Sequence, residues 1–120
     1  MRDEAQALLA ANHSFYAAFA EGDVGRMESL WAEDVNVACS HPGAGPLHGR
    51  SVVMQTWNEI LQSGGAPGIH ADDAKAVLLG EAGFVTCMEC IGDARLVATN
   101  VFVRESGRWR MVHHQAGAES

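Results

Sequence analysis

Three short stretches divide the second half of this chain: GEAG at residues 80–83, IGDA at 91–94 and ESGR at 105–108. The runs they separate, residues 69–79, 83–91, 95–104 and 108–116, are rich in strand-forming side chains. Each separator carries a glycine at or near a position where positive φ helps a tight turn. A parallel crossover needs a dozen or more residues. Separators this short therefore force successive strands to run antiparallel, as a meander.

The first half reads differently. Over residues 3–21, Leu8, Leu9, Phe15, Tyr16 and Phe19 recur at helical spacing, with Asn12 inside that apolar stripe and Gly22 as a stop. Asp23 is placed to cap a short second helix carrying Val24, Met27, Leu30 and Trp31. DVNVACSH then alternates, with Val35, Val37, Cys39 and His41 on one face. HPGAGPLHG reads as a loop, and a third helix starts at about Ser51 with Val53, Trp57, Ile60 and Leu61 in phase. A meander with one apolar face buries it by folding over the helices. The expected fold is α+β: a cone-shaped, curved, mostly antiparallel sheet wrapped over three N-terminal helices. We expect a single domain over residues 1–120, with a wide end able to hold a cavity.

Composition narrows the function. The net charge is −7, without a cluster of Lys or Arg, which argues against nucleic acid or an anionic membrane as partner. No apolar run reaches 18 residues. The opening MRDEAQALLA lacks the long apolar core of an export signal. With three cysteines, an odd number, the simplest expectation is reduced thiols and a cytoplasmic location.

FAEGDVGRMESLWAEDVNVACSHPG, LHGRSVVMQTW and ATNVFVRESGRWRMVHHQAG, in this order and spacing, resemble the SnoaL-like branch of the nuclear transport factor 2-like superfamily. The resemblance covers about residues 5–117. It implies the same cone, commonly a homodimer packed through the outer sheet face, with a pocket between sheet and helices. It does not imply one activity, because the superfamily holds isomerases, cyclases, epoxide hydrolases, dehydratases and non-enzymatic binding domains. A ketosteroid isomerase would need an oxyanion-holding tyrosine, a protonated aspartic acid and a base aspartate. Alignment puts Phe15, Leu96 and His41 in those places, which rejects that chemistry. No Asp–Arg–Asp set of the epoxide hydrolase kind assembles around Arg95 or Arg104.

The candidate site residues are polar groups in phase with apolar faces. His41 continues the Val35–Cys39 row. Trp109, Met111, His113 and Gln115 form a second row, taken as inward, with His114 on the opposite row. His113 and His114 cannot share one ligand on a regular strand. His41 and His113 are candidate acid/base groups, facing a carboxylate such as Glu89 or Asp34. Trp31, Trp57, Asn100, Tyr16 and Gln115 are candidate ligand contacts. The plainer reading makes the histidines partly buried residues satisfied by backbone or water, and the tryptophans core. CMEC at 87–90 sits in a strand pattern that turns its thiols to opposite faces, against a redox role. Zinc would need three or four of His41, His113, Cys39, Cys87 and Glu89 to converge, and no short ligand spacing supports that, so neither metal nor cofactor is expected.

Three functions remain open at this level. The first is a small-molecule-binding domain for an apolar or oxygenated compound. The second is a cofactor-independent isomerase, cyclase or hydrolase using His41 or His113. The third is a dimerisation module whose cone is filled by its own side chains. Whether the chain is an enzyme is undecided by sequence, although 13 glycines leave less bulk to fill a cone.

Overall fold

A computed structural model describes residues 3–119. Helix α1 (Glu4–Glu21) starts where the Asp3 carboxylate accepts from the backbone N–H groups of Ala5 and Gln6. It ends at Gly22, whose φ of 69° suits only a residue free of a Cβ penalty. Asp23 caps α2 (Val24–Leu30) by accepting from Arg26 N–H. Next come β1 (Ala38–Ser40), β2 (Leu47–His48) and α3 (Arg50–Gln62). Then the meander follows: β3 (His70–Leu79), β4 (Ala82–Ile91), β5 (Ala94–Glu105) and β6 (Arg108–Ala118). The architecture is the expected α+β cone, three helices against a six-stranded sheet of order β2-β1-β6-β5-β4-β3. Among the described residues, β1–β6 is the parallel strand pair, continued by a parallel bridge between Trp31 and Met111.

Two details of the expected β1 differ. The strand is three residues long, and Val35 is 48% exposed while Val37 and Cys39 are buried. The segment before Ala38 is held instead by Glu105, whose carboxylate accepts from Glu33 and Asp34 N–H. The expected loop also contributes β2, which closes the sheet edge by pairing Leu47 with Cys39.

The decisive departure lies in β6. Val101 pairs with His113 and Phe102 with Met111, so Val112 is an extra residue. This β-bulge turns the strand over within one step. Trp109 and Met111 face inward as expected, but beyond the bulge the buried residues are His114 and Ala116. The inward row across the sheet is therefore Ala76–Val85–Asn100–His114–Cys39. His113 belongs to the outer row with Val77, Phe84 and Val101. Gln115 lies outside with Thr86 and Thr99 and is exposed. The inward placement expected for His113 and Gln115 is thus corrected by one inserted residue.

The cone is filled largely by aromatic and sulfur-bearing side chains: Phe15, Trp31, Trp57, Phe102 and Met111 are all fully buried. Phe15 meets Trp57 edge-on at 5.3 Å, a geometry favoured by the ring quadrupoles. Helix α1 lies chiefly on β3, which leaves the α1–β3 seam at the side of the cone. After α3 the chain docks on the end of α1, where Ala66 N–H donates to the Phe19 carbonyl. Gly65, at φ 69°, makes that approach possible, because a Cβ there would run into the Phe19 carbonyl oxygen. Gly65→Ala is expected to cost about 1–3 kcal/mol in urea denaturation, whereas Gly45→Ala, facing open space, should be near neutral; equal effects would contradict this packing.

Candidate functional site

A stripe of polar groups crosses the cone beneath α1. Asn12 and Tyr16 are four residues apart and so share one helix face. Opposite them stand Cys87 and Glu89 of β4, Asn100 of β5 and His114 of β6. Asn12, Tyr16, Glu89, Asn100 and His114 are each at most 3% exposed, so each needs a partner inside the protein.

Asn100 is the hub. Its Nδ2 donates to Asn12 Oδ1 at 2.8 Å and to the Tyr16 hydroxyl at 3.2 Å. Its Oδ1 lies 2.6 Å from His114 Nδ1. An amide oxygen only accepts, so His114 carries its proton on Nδ1 and presents a bare Nε2. Tyr16 Oη donates to Glu89 Oε2 at 2.8 Å, and the Cys87 sulfur lies 3.5 Å from the same hydroxyl.

Burial sets the protonation states. The His114 pKa is lowered to about 3, first by desolvation and then by the nearby His41 and His113. The imidazole is neutral, so its 3.5 Å contact with Glu89 is not an ion pair. Desolvation raises the Glu89 carboxyl, with the Tyr16 hydrogen bond opposing. Two lone pairs facing each other across that gap also favour a proton on Glu89. Desolvation raises the Tyr16 phenol well above its ordinary range, and Glu89 adds to the effect. Tyr16 and His114 are neutral hydrogen-bonding groups, and burial shifts Glu89 toward its neutral form.

A cleft of about 390 Å³ opens over one end of this cluster, between α1 and β3. Leu9, Ala17, Ile69, Ala71 and Ala74 line it with apolar surface, and Asn12 and Tyr16 form its buried end. It is thus the polar stripe of α1 that meets the cleft, while Asn100, Glu89 and His114 stand behind it.

The other sequence candidates are dispersed. His41 packs edge-on against Trp57 at 4.9 Å and its Nε2 lies 2.9 Å from Thr56 Oγ1. Thr56 spends its single proton on the Val53 carbonyl, so His41 Nε2–H is the donor. Burial lowers the His41 pKa. His113 Nδ1 lies 3.0 Å from the Ala38 carbonyl at the β1–β6 junction, outside the cone. Trp31 is core, bridged to Met111 through the backbone. Trp57 is core beside His41 and His114. Burial pushes the neighbouring Cys39 thiol up to about 12, with the Trp57 indole opposing. Of the seven residues singled out from sequence, the structure joins Tyr16 and Asn100 in one site; His41, His113, Trp31, Trp57 and Gln115 lie elsewhere. Asn12, Glu89 and His114 complete that site. Asn12 had a sequence signal, a polar residue inside an apolar helix stripe, and Glu89 is one of the carboxylates considered as a histidine partner. His114 had none, because the bulge is invisible in the pattern.

The profile of the SnoaL-like domain family matches residues 8–118. The chain belongs to that family. Among solved structures, this SnoaL-like domain resembles a proposed dehydratase of the nuclear transport factor 2-like family from Streptomyces avermitilis. They share 27% identity over 98% of this chain and 96% of the other, with a TM-score of 0.85. A proposed calcium/calmodulin-dependent protein kinase type II association domain from Thiobacillus denitrificans is 34% identical. That match covers 93% of this chain and 94% of the other, with a TM-score of 0.76. The F-box protein SKIP8 of Arabidopsis thaliana is 24% identical over 113 residues, 92% of this chain. The chain spans about half the length of that curated relative, 49%.

Two measurements test the placement of the histidines. His114→Ala, which opens a cavity and strands the Asn100 oxygen, should cost about 2–4 kcal/mol by chemical denaturation. His113→Ala should cost about 1 kcal/mol or less; the reverse order would refute the bulge. A pH series follows from the same ring. Its folded pKa of about 3 lies below the unfolded value of about 6.5, so the unfolded chain takes up the proton first. Stability contributed by neutral His114 is present above pH about 6.5 and is lost as pH falls toward about 3. His41 acts in the same sense, and Glu89, with its raised pKa, in the opposite one. His114→Gln should flatten the decline between about pH 6.5 and 4; an unchanged slope would show that another group drives it.

Proposed function

We propose that this SnoaL-like domain binds a small, largely apolar, oxygen-bearing molecule in the cleft between α1 and β3. The observation that carries this reading is the junction of an apolar cleft with a buried, preorganised polar end, Asn12 and Tyr16. Its volume falls within the range typical of small-molecule sites. Asn100 occupies the Asn12 amide oxygen, which leaves the Asn12 N–H groups with capacity for a ligand carbonyl or hydroxyl. Tyr16 retains a lone pair after donating to Glu89 and accepting from Asn100.

Turnover is the second reading, favoured by the Glu89–His114 pair and by the dehydratase assignment proposed for the Streptomyces avermitilis relative. Efficient acid/base groups have pKa values near the working pH. His114 sits about 4 units below neutrality, and His41 has one nitrogen committed to Thr56. These facts weigh toward recognition. The chain's three thiols, Cys39, Cys87 and Cys90, are unpaired and fit a reducing cytoplasm.

We further propose a homodimer through the outer sheet face. Val77 and Val97 are 40% and 47% exposed there, and Phe84 and Val101 continue the same apolar surface. The association-domain relative supports assembly of this fold.

Thermal-shift screening with small ketones, alcohols and lactones should raise Tm for at least one class. Ala17→Leu, which fills the cleft from a helix position, should abolish that shift while leaving the unliganded Tm nearly unchanged. Silence across the panel, or a shift that survives Ala17→Leu, would overturn the cleft as the site. Light scattering should give twice the chain mass, reduced to one by Val77→Lys with Val97→Lys; a wild-type monomer would remove the dimer proposal.

A further inference from the structure

A second cluster lies at the β3 edge of the sheet, where His70 also borders the rim of the cleft away from its Asn12–Tyr16 end. His70 and Cys90 are directly opposed partners across β3 and β4. Asp72 is two residues along β3, and so projects from the same face as His70. One carboxylate reaches both neighbours. Asp72 Oδ1 lies 3.5 Å from His70 Nε2, and the Cys90 thiol donates to Asp72 Oδ2 at 3.5 Å. A nitrogen, an oxygen and a sulfur donor thus lie within 4.8 Å of one another.

The histidine is set up for coordination by its own second contact. His70 Nδ1 lies 3.1 Å from the Gly68 carbonyl, and a carbonyl only accepts. Nδ1 therefore carries a proton, and Nε2 is the nitrogen turned toward Asp72, where a metal would take the place of any proton it holds. A ligating histidine held through its other nitrogen by a backbone carbonyl is the usual arrangement around bound metal. Asp72 also marks the end of regular pairing: β3 bulges between Asp72 and Lys75, with Asp73 at φ 55°.

We propose that His70 Nε2, the Asp72 carboxylate and Cys90 Sγ bind one Zn²⁺, with a fourth position left to water or an exogenous ligand. Tetrahedral zinc with bonds of about 2.0–2.3 Å separates its donors by about 3.3–3.8 Å. Both Asp72 contacts already have that separation, and the exposed His70 and Asp72 side chains are free to close the remainder. The mixed nitrogen, oxygen and thiolate set fits zinc better than magnesium or calcium, which take oxygen ligands. Binding displaces the Cys90 thiol proton to solvent as the sulfur–zinc bond forms. Burial and then Asp72 raise the Cys90 thiol pKa, with Arg95, paired with it on β5, opposing, so the metal itself must displace the proton. Bound zinc would clamp β3 to β4 beside Ile69 and Ala71, two residues of the cleft wall. The proposal does not depend on what the cleft binds. The five residues weighed for zinc from sequence did not include this trio, because strand register, not spacing, brings it together.

Cobalt titration of the untagged chain tests it. Wild type should bind one Co²⁺ per chain, with a thiolate-to-cobalt charge-transfer band that Zn²⁺ erases by competition. Cys90→Ser should lose the band, and His70→Ala or Asp72→Asn should weaken binding about tenfold or more. Cys87→Ser, whose thiol faces Tyr16 on the other side of the sheet, should retain it. No thiolate band, or one that survives Cys90→Ser, would overturn the site. Should Cys90→Ser fail to fold, the exposed His70 and Asp72 variants carry the same test, read as loss of a Zn²⁺-induced rise in Tm; unchanged cobalt affinity in both would equally overturn it.

Discussion

The Asn100 amide joins the two layers of this fold. Its oxygen takes the His114 Nδ1 proton within the sheet, and its nitrogen reaches Asn12 and Tyr16 on the helix. A buried amide left half satisfied costs more than an apolar residue of the same shape. The helix must therefore keep its register on the sheet for every member of the network to remain paired. The Val112 bulge belongs to the same constraint: without it His114 would face outward and the Asn100 oxygen would be stranded in the core.

Burial then decides what chemistry these groups offer. A desolvated imidazole resists its proton and a desolvated carboxyl is pushed toward holding one, so burial favours the neutral forms in a cluster rich in directed hydrogen bonds. Such a surface suits recognition of a polar atom on an otherwise apolar molecule. The centre of the cone gives no room for one, because Phe15, Trp31, Trp57, Phe102 and Met111 occupy it. A gap that meets the polar cluster opens at the side, where alanines of α1 and β3 leave space. The bulky stripe and the small residues together move the candidate site off the cone axis.

Much of this was legible locally. Glycine-bearing separators fixed four antiparallel strands to within a residue or two, since a turn that short permits nothing else. Asp23 and Gly22 marked helix ends through hydrogen bonds with near neighbours. Strand alternation correctly parted His113 from His114, and Cys87 from Cys90. Tyr16 and Asn100 were visible as polar residues in apolar rows. The pattern overextended β1, because Val35 fits the alternation but Glu105 draws the adjacent backbone out of the sheet.

By itself the sequence determined the order of elements apart from the short β2, the antiparallel meander, the three-helix cover and the family pattern, all consequences of short-range periodicity and turn stereochemistry. Tertiary structure alone decided which histidine of the pair is buried, because one extra residue opposite β5 inverts every later side chain and leaves no mark on composition. It also decided which chemical groups meet. Asn12, Glu89 and His114 come from three different elements, as His70 and Cys90 come from two strands, and their meeting depends on register and helix placement across long loops of chain. Those are set by the packing of the whole core, which no local stretch encodes.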